Sequence, residues 1–253
     1  MISVCVAVYR AHEAPNLAGI AAALPGALDG RDGQLVVALN GVRADAAGVP
    51  EDALSVDLRV NRGVAPGWNA AARASEGDVL VFCNDDVELG AGSVARLADV
   101  LHANEDAGVV GPVGSRWDVA SGRHLAWVHA DDTDGELAAC EVVSGFMFAC
   151  RRSTWEAADA FDEYYAPASW EEVDFCTAVR AGGKRCYAVA GVRCTHEWGV
   201  SRRQPPWARA RWDGRSESWR SIHRRNRAHF LAKWAGHPIA AVPASAALPP
   251  SAA

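Results

Sequence analysis

The sequence lacks the features that would place it in several common protein classes. Its longest apolar runs are of strand length, well below the about 20 residues that a membrane-spanning helix needs. Met1 leads directly into apolar residues 2–8 with no basic stretch before them, so no secretory signal is expected. The seven cysteines include no C-x-x-C pair, which disfavours a zinc ribbon or a disulfide framework and predicts reduced, buried thiols. These absences predict a cytoplasmic protein and leave open a peripheral contact with the inner face of a membrane.

Two nucleotide-binding motifs are also missing. No G-x-G-x-x-G follows the first predicted strand, which disfavours a nicotinamide or flavin enzyme. No G-x-x-x-x-G-K-[ST] is present, which argues against a P-loop nucleotide hydrolase. The chain has 253 residues, of which 50% are apolar and 22% are charged. This composition is ordinary for a globular protein, and the length suits one large α/β domain or two small ones.

Short β-branched segments alternate with alanine-rich segments, and this order predicts an α/β fold with a mostly parallel sheet flanked by helices. The chain divides into a domain of residues 1–199, with a boundary near residue 100, a helical arm at 200–237 and a disordered Ala/Pro/Ser-rich tail at 238–253. The predicted strands occupy residues 2–9, 34–39, 54–60, 78–83, 142–150 and 185–194, and the predicted helices occupy 16–24, 67–74, 93–103, 153–159, 169–181 and 216–234.

Polar residues follow several predicted strands, where ligands bind in an open parallel sheet. Asn84, Asp85 and Asp86 come directly after the most apolar strand, and His196 ends the last one. Carboxylate and imidazole groups, together with phosphate oxygens, are ligands that Mg²⁺ or Mn²⁺ accepts. An Asx turn is the alternative interpretation of residues 84–86, since Asn and Asp often satisfy their own backbone at strand ends.

Two adjacent glutamates, Glu171 and Glu172, open the helix predicted from Ser169. Ser169-x-x-Glu172 fits a capping box, which would be a purely structural role. Alternatively, a carboxylate held at a helix N-terminus stays ionised near neutral pH and can accept a proton from an attacking hydroxyl. The two interpretations are compatible, because one glutamate can cap the helix while the other acts as a base.

In this order, these motifs resemble the family 2 glycosyltransferases of the GT-A fold, and among them the rhamnosyltransferase-like subgroup. The resemblance covers residues 2 to about 199. It rests on six passages: the opening strand and loop at 2–10, the N-x-G passage at 61–69, Asn84-Asp85-Asp86-Val87, the G…RR…FDE passage at 145–163, Glu171-Glu172-Val173-Asp174-Phe175, and Thr195-His196.

The resemblance implies an inverting transfer of a sugar from a nucleotide-diphosphate donor (a UDP-, dTDP- or GDP-sugar) to a hydroxyl of a glycan or lipid-linked acceptor, in bacterial polysaccharide or glycan assembly. Residues 1–100 would bind the nucleotide and residues 101–199 the acceptor. Asp86, with Asp85 and His196, would hold Mn²⁺ or Mg²⁺, and Glu172 would be the catalytic base, with Glu171 as the second candidate. The implied donor contacts are Val8, Tyr9, Arg10, Asn40, Asn61, Gly63, Asn69, Asn84 and Asp85, and the implied sugar and acceptor contacts are Ser144, Gly145, Phe146 and Trp170.

Two other functions compete with sugar transfer. One is a catalytically silent domain that binds a nucleotide sugar or a carbohydrate. It is favoured by Leu39, which stands where many relatives have an Asp, and by Glu172, which replaces the usual catalytic Asp. The other is a glycoside hydrolase with two carboxylates, which would need no metal.

The C-terminal part of the chain is strongly basic. Residues 198–234 contain nine arginines and one lysine against two acidic residues, a net charge of +8, while the remainder is at −14. Binding of nucleic acid is disfavoured because the acidic body would repel a polyanion. Two interpretations stay open. In one, the segment covers the active site, with Arg202 and Arg203 contacting the donor; in the other, a helix packs on the domain or on the partner subunit of a homodimer, with tryptophans buried and arginines solvated.

Overall fold

The computed structural model describes residues 1–9, 17–133, 135–196, 205 and 207–242. Arg10, Arg202 and Arg203, three of the predicted donor contacts, lie outside these ranges. The strands are β1 (Ile2–Val8), β2 (Gly33–Leu39), β3 (Leu54–Asp57), β4 (Val79–Cys83), β5 (Val87–Leu89), β6 (Ala107–Gly111), β7 (Gly114–Asp118), β8 (Arg123–Val128), β9 (Leu137–Cys140), β10 (Val142–Val143), β11 (Met147–Arg151), β12 (Arg185–Val189), β13 (Cys194–His196), β14 (Arg209–Trp212) and β15 (Arg215–Ser218).

In the described part of the chain, seven α-helices flank these strands, and three short 3₁₀ helices connect them. The α-helices are α1 (Leu17–Leu28), α2 (Ala44–Ala47), α3 (Val64–Ala74), α4 (Ser93–Ala103), α5 (Arg152–Ala157), α6 (Glu171–Ala181) and α7 (Trp219–Trp234), and the 3₁₀ helices are Ala130–Asp132, Glu163–Tyr165 and Pro238–Ala241. No helix in the described ranges is long and apolar enough to cross a membrane.

One mixed eight-stranded sheet organises the chain, in the order β3-β2-β1-β4-β11-β6-β12-β9. Strands β9 and β11 run antiparallel to their neighbours, and the other six point the same way. All five residues of β4 are buried, because this strand is apolar on both faces and lies inside the sheet. The predicted α/β fold with a mostly parallel sheet flanked by helices is confirmed.

Each face of the sheet carries its own hydrophobic core. Helices α1 and α4 cover one face, and α3, α6 and α7 cover the other. In the second core the ring centroids of five aromatic side chains lie 4.5–6.3 Å apart. Such pairs each add about 0.5–1.5 kcal/mol beyond the burial of their area, so this cluster firmly ties α3 and α6 to the sheet. Its members are Trp68, Phe82, Phe148, Phe161 and Phe175.

The seven cysteines form no disulfide, and six of them are buried. Burial raises the pKa of the Cys5 thiol to about 12, so this group stays protonated and packs as a small apolar side chain. The prediction of buried, unpaired thiols is therefore confirmed for six cysteines; Cys194 is half-buried.

Several boundaries differ from the prediction. The last predicted strand, at 185–194, is divided into β12, which ends at Val189, and β13, which begins at Cys194. Helix α1 continues through Pro25 to Leu28, because Ala27 and Leu28 are buried in the first core. The predicted helix from 216 begins only at Trp219, since β14 and β15 form a hairpin before it. Asp213 and Gly214, at the turn of that hairpin, both have positive φ, as a two-residue type I′ turn requires. In the stretch predicted to be disordered, residues 238–241 form a 3₁₀ helix that packs against α6.

Candidate active site

A short antiparallel pairing brings the two predicted cation-binding regions together. Strand β5 follows residues 84–86 directly and pairs with β13, so that His196 lies opposite Val87. As a result, Nε2 of His196 lies 3.2 Å from Oδ1 of Asp86 and 3.4 Å from Nδ2 of Asn84. The imidazole stacks on the ring of Phe146, with 4.8 Å between centroids. These contacts fix the imidazole beside the carboxylate.

The separation of Asp86 and His196 suits a divalent cation. Two ligand atoms at right angles around an octahedral ion, each about 2.1 Å from it, lie about 3 Å apart, close to the 3.2 Å found here. Within the described residues, no three His, Cys, Asp or Glu side chains form a metal-binding cluster on their own. Of the predicted set of Asp85, Asp86 and His196, the last two are in contact, and Asp85, next to Asp86 in the chain, is partly buried. A pair of protein ligands completed by phosphate oxygens and water is a common arrangement for Mg²⁺.

Helix α6 begins without the predicted capping box. Its N-cap is Trp170, which makes no side-chain capping hydrogen bond. The Ser169 hydroxyl lies instead 3.0 Å from Nδ1 of His223, a residue of α7. Both Ser169 and Trp170 have a φ of +83°, a left-handed conformation that side chains other than glycine rarely adopt. The capping-box prediction is therefore wrong, because the backbone turns sharply before the helix instead of placing Ser169 at its cap.

The two glutamates at the start of α6 occupy different environments. Glu171 is only 7% exposed, and its Oε2 has no hydrogen-bond partner within the described part of the chain. Burial, reinforced by the charge of Glu172, raises the pKa of the Glu171 carboxyl well above its usual range. Glu172 is half-buried, and its side chain packs against Gly145, where an added Cβ would lie 3.3 Å from the carboxyl carbon. Oε2 is buried in both glutamates, but Glu172 as a whole is more exposed than Glu171 and is the one in contact with Gly145.

Residues 144–146 connect the glutamate to the cation pair. Gly145 contacts Glu172, and the next residue, Phe146, stacks on His196. The backbone N–H of Asn84 donates to the carbonyl of Phe146 at 2.8 Å, and that of Ser144 donates to the carbonyl of Val113 at 2.8 Å. Phe146 is 6% exposed, so its ring supports the imidazole. The prediction that Phe146 contacts a sugar is corrected, because the ring is not an open surface.

Several of the predicted donor contacts build the adjacent loop. Asn40 is 2% exposed; its amide donates to the carbonyl of Gly63 at 2.8 Å and accepts from the N–H of Arg62 at 2.6 Å. Asn61 accepts from the N–H of Gly63 at 3.0 Å and donates to the carbonyl of Arg211 at 2.9 Å. The polar groups of Asn40 and Asn61 are therefore used to hold the loop against β14.

Two other predicted donor contacts are buried. Asn69 is 1% exposed and exchanges hydrogen bonds with the backbone of Phe161 in both directions, at 2.9 and 3.0 Å. Val8 is fully buried, and its carbonyl accepts from the N–H of Asn40. The prediction that these two side chains contact a donor is corrected, because neither reaches the surface. Tyr9, directly after β1, is 42% exposed.

A cleft of about 760 Å³ opens at the carboxyl ends of β2 and β3. Its lining includes Leu39, Arg43, Asp57 and Arg59. Of these residues only Leu39 stood out in the sequence, because Arg43, Asp57 and Arg59 belong to no recognisable motif; Asp57 is the last residue of β3. Their basic and acidic groups offer contacts for a polar ligand on the predicted nucleotide side of the sheet.

The basic C-terminal segment holds the backbone that leads into α6. Asn226 on α7 is fully buried, and its amide donates to the carbonyls of Tyr165 and Ser169 at 2.9 Å and of Ala168 at 3.2 Å. This residue therefore fixes the turn in which Ser169 and Trp170 adopt positive φ. No sequence motif marked it, since its partners are backbone atoms far away along the chain.

A second group of contacts ties α7 to the side of α6. The indole of Trp234 donates to Oδ1 of Asp174 at 2.8 Å, and the ammonium group of Lys233 donates to Oδ2 at 2.6 Å. Arg220 and Arg224 on the same helix are exposed. For residues 207–234, the structure matches the interpretation of a packed helix with a buried tryptophan and solvated arginines.

Replacement Asn226→Ala should destabilise the protein, because it leaves buried carbonyls without their donor. We expect a loss of about 1–3 kcal/mol in the free energy of unfolding, which corresponds to about 2–4 °C in Tm per kcal/mol. Arg220→Ala, an exposed change on the same helix, is the matched control and should be nearly neutral. Thermal unfolding of both variants checks this; an unchanged Tm for Asn226→Ala would contradict the clamping role of α7.

The raised pKa of Glu171 predicts a pH-dependent stability. Its folded-state pKa lies above the unfolded value, so its contribution is fully present below the unfolded pKa of about 4.3 and is lost as the pH rises through the folded pKa. Glu171→Gln should therefore raise Tm at neutral pH and lose this advantage near pH 4. The exposed change Glu156→Gln is the control. Identical pH profiles of Tm for wild type and Glu171→Gln would show that the carboxyl carries no such penalty.

The fold and the site can be compared with known proteins. Residues 50–153 match the family model described as Glycosyl transferase family 2. No curated protein matches the sequence.

Among the solved structures that share the fold are the following three. Mannosyltransferase PcManGT from Pyrobaculum calidifontis, in complex with GDP-Man and Mn²⁺, has a TM-score of 0.58 and 20% identity over 76% of this chain and 55% of its own. GalNAc-T7 with UDP, GalNAc and Mn²⁺ has a TM-score of 0.60 and 11% identity over 77% of this chain and 43% of its own. S. aureus TarS 1-349 has a TM-score of 0.54 and 16% identity over 75% of this chain and 58% of its own.

At these identities the likeness concerns the fold, and the chain spans about half the length of the structures that it matches. The family match falls on the central part of the same fold, from just before β3 to the start of α5. The comparisons thus give a match to the Glycosyl transferase family 2 model over residues 50–153 and a fold shared with GT-A glycosyltransferase structures.

Proposed function

We propose that the chain is a metal-dependent, inverting glycosyltransferase that uses a nucleotide-diphosphate sugar. The observation that carries the proposal is the contact between Asp86 and His196, joined through residues 144–146 to Glu172. PcManGT is described in complex with GDP-Man and Mn²⁺, and GalNAc-T7 with UDP, GalNAc and Mn²⁺, which supports the same ligand class for this site.

Asp86 and His196 are the residues proposed to hold the cation. When bound, Mn²⁺ or Mg²⁺ would neutralise the charge that develops on the departing diphosphate. The carboxylate of Asp86 supplies a hard oxygen ligand, and Nε2 of His196 faces it. The stacking of Phe146 keeps the imidazole from rotating away. Asn84 and Asp85 border this position and are assigned to the donor side.

Glu172 is proposed as the catalytic base. The acceptor oxygen forms a bond to the anomeric carbon while the bond from that carbon to the phosphate oxygen breaks, and Glu172 takes the proton of the acceptor hydroxyl. Because the base and the leaving nucleotide stand on opposite sides of the reacting carbon in this scheme, the configuration inverts. Glu171 is a poorer base, since burial favours its neutral form. Ser144, Gly145 and Trp170 border the place where donor sugar and acceptor would meet.

The finer assignments remain part of the proposal. These are the rhamnosyltransferase-like subgroup, the choice among UDP-, dTDP- and GDP-sugars, the glycan or lipid-linked acceptor, the cytoplasmic location, and the division into nucleotide and acceptor halves near residue 100. A glycoside hydrolase gives no role to an imidazole fixed beside a carboxylate, and a silent binding domain gives none to Glu172. Metal dependence and turnover separate these alternatives from transfer.

Replacement Asp86→Ala should abolish metal-dependent nucleotide binding. For the wild type, UDP or GDP at about 100 times its Kd with Mn²⁺ should stabilise the fold by about 2.7 kcal/mol, because a ligand of the native state adds RT ln(1 + [L]/Kd). The variant should lose this gain in Tm, whereas Asp132→Ala, which changes an exposed aspartate, should keep it. If Asp86→Ala retained the full Mn²⁺-dependent shift, the cation site would lie elsewhere.

Replacement Glu172→Gln should separate binding from turnover. The amide keeps the shape of the side chain but cannot take a proton, so kcat should fall by about 10²–10⁴-fold while the nucleotide-dependent Tm shift persists. Glu171→Gln should keep most of the activity and is the matched control. Nucleotide release from a panel of donor sugars measures both variants. The reverse outcome, with Glu171→Gln inactive and Glu172→Gln active, would move the base to position 171.

A further inference from the structure

A β-bulge in the hairpin of β7 and β8 places aromatic rings on one face. Trp117 pairs with His124 and Arg116 with Ala126, so the chain gains one extra residue, Leu125, between two consecutive pairs. An extra residue shifts the alternation of side chains along its strand. His124 and Trp127, three positions apart, therefore point to the same face, and their ring centroids lie 4.6 Å apart.

These rings continue as a row toward the proposed base. The ring of His124 lies 5.8 Å from that of Trp117, and Trp117 lies 5.4 Å from Trp170. We refer to Trp127, His124, Trp117 and Trp170 as the aromatic row. Trp127 is 45% exposed, the other three rings are half-buried, and Trp170 packs on Phe230. One end of the row is thus open to solvent and the other is anchored in the core.

The anchored end of the row lies at the proposed active site. Trp170 is the N-cap of α6 and stands two residues before Glu172. Strand β7 also pairs with β10, where Gly114 faces Val143, and the chain then passes directly into Ser144 and Gly145, which contacts Glu172. The row therefore extends from Glu172 outward over the sheet formed by β10, β7 and β8, on the predicted acceptor side.

The chemistry of this surface fits a pyranose ring. An exposed indole face next to a second ring offers an apolar surface with a negative electrostatic face, which attracts the slightly positive C–H groups of a sugar. Polar groups lie close by. The buried carboxylate of Glu141 accepts from the backbone N–H of Trp117 at 3.2 Å and lies 3.4 Å from the guanidinium of Arg116. Apolar rings with a few positioned polar groups are typical of small-molecule sites. Trp127 keeps 45% of its surface exposed beside a second ring, so this apolar surface is accessible to a ligand.

We propose that Trp127 and His124 form a carbohydrate subsite that holds a sugar of the acceptor beyond the one that reacts. The inference rests on the proposed function, because it takes the direction of the acceptor from the position of Glu172. It names a glycan, rather than the lipid part of a lipid-linked acceptor, as the ligand of this surface. Lipid binding would instead favour a larger apolar patch without the flanking carboxylate and guanidinium.

Fluorine NMR of the full chain labelled with fluorotryptophan tests the subsite directly. Trp127→Phe assigns the resonance of Trp127, and Trp207→Phe assigns that of Trp207, a more exposed tryptophan (77%) outside the row. The probes are methyl glycosides of glucose, mannose, rhamnose and N-acetylgalactosamine, at concentrations up to roughly 100 mM. We expect at least one glycoside to shift the Trp127 resonance saturably and to leave Trp207 unchanged. Trp117→Phe assigns the Trp117 resonance in the same way, and in Trp127→Ala the glycoside concentration that half-saturates this resonance should rise about tenfold.

The same samples separate the failure of this inference from the failure of the proposed function. UDP or GDP with Mn²⁺ should raise the Tm of wild type and Trp127→Ala equally, because the row does not contact the cation pair. If no glycoside shifts Trp127, or if Trp207 shifts as much, the subsite is overturned while nucleotide binding stands. If none of UDP, dTDP and GDP raises the Tm in the presence of Mn²⁺ but Trp127 responds to a glycoside, the proposed sugar transfer fails and the carbohydrate site remains.

Discussion

The pairing of β5 with β13 is the contact on which the rest of the site depends. Each strand has three residues, yet the pairing sets His196 beside Asp86, at the end of the most buried strand of the sheet. Because backbone hydrogen bonds between strands fix the register, a slip by one residue would turn the imidazole to the other face. The stacked ring of Phe146 and the contact of Gly145 with Glu172 are arranged around this point, so one pairing aligns the proposed cation ligands and the proposed base.

A second constraint acts from the opposite side. The backbone enters α6 through two residues with positive φ, a conformation that needs support from its surroundings. Asn226 and Lys233 of α7 supply that support, the first through three backbone carbonyls and the second through Asp174. The glutamates at the start of α6 thus depend on a helix that lies outside the eight-stranded sheet. Some basic residues of α7, such as Lys233, bind the rest of the domain, and others, such as Arg220 and Arg224, are exposed to solvent.

The sequence predicted what depends on local signals. The apolar strand β4 with its Asn-Asp-Asp end and helix α4 at its observed bounds followed from residue patterns. His196 was predicted to end the strand at 185–194, whereas that strand stops at Val189 and His196 ends the separate strand β13. The sequence did not predict which glutamate is buried, the hairpin at 209–218, the role of Asn226 or the bulge at Leu125, because each depends on contacts between distant segments. Asn40 and Asn69 were predicted as ligand contacts, since an asparagine in a motif reads the same whether it binds a ligand or a backbone.

The central claim is that a divalent cation binds between Asp86 and His196. Crystals of the full chain grown with Mn²⁺ and UDP or GDP, measured at the manganese absorption edge, test it most directly. The account predicts an anomalous peak about 2.0–2.3 Å from both Oδ1 of Asp86 and Nε2 of His196, with diphosphate oxygens completing the coordination. A peak bound by neither residue, or a nucleotide bound with no manganese near it, would contradict the account.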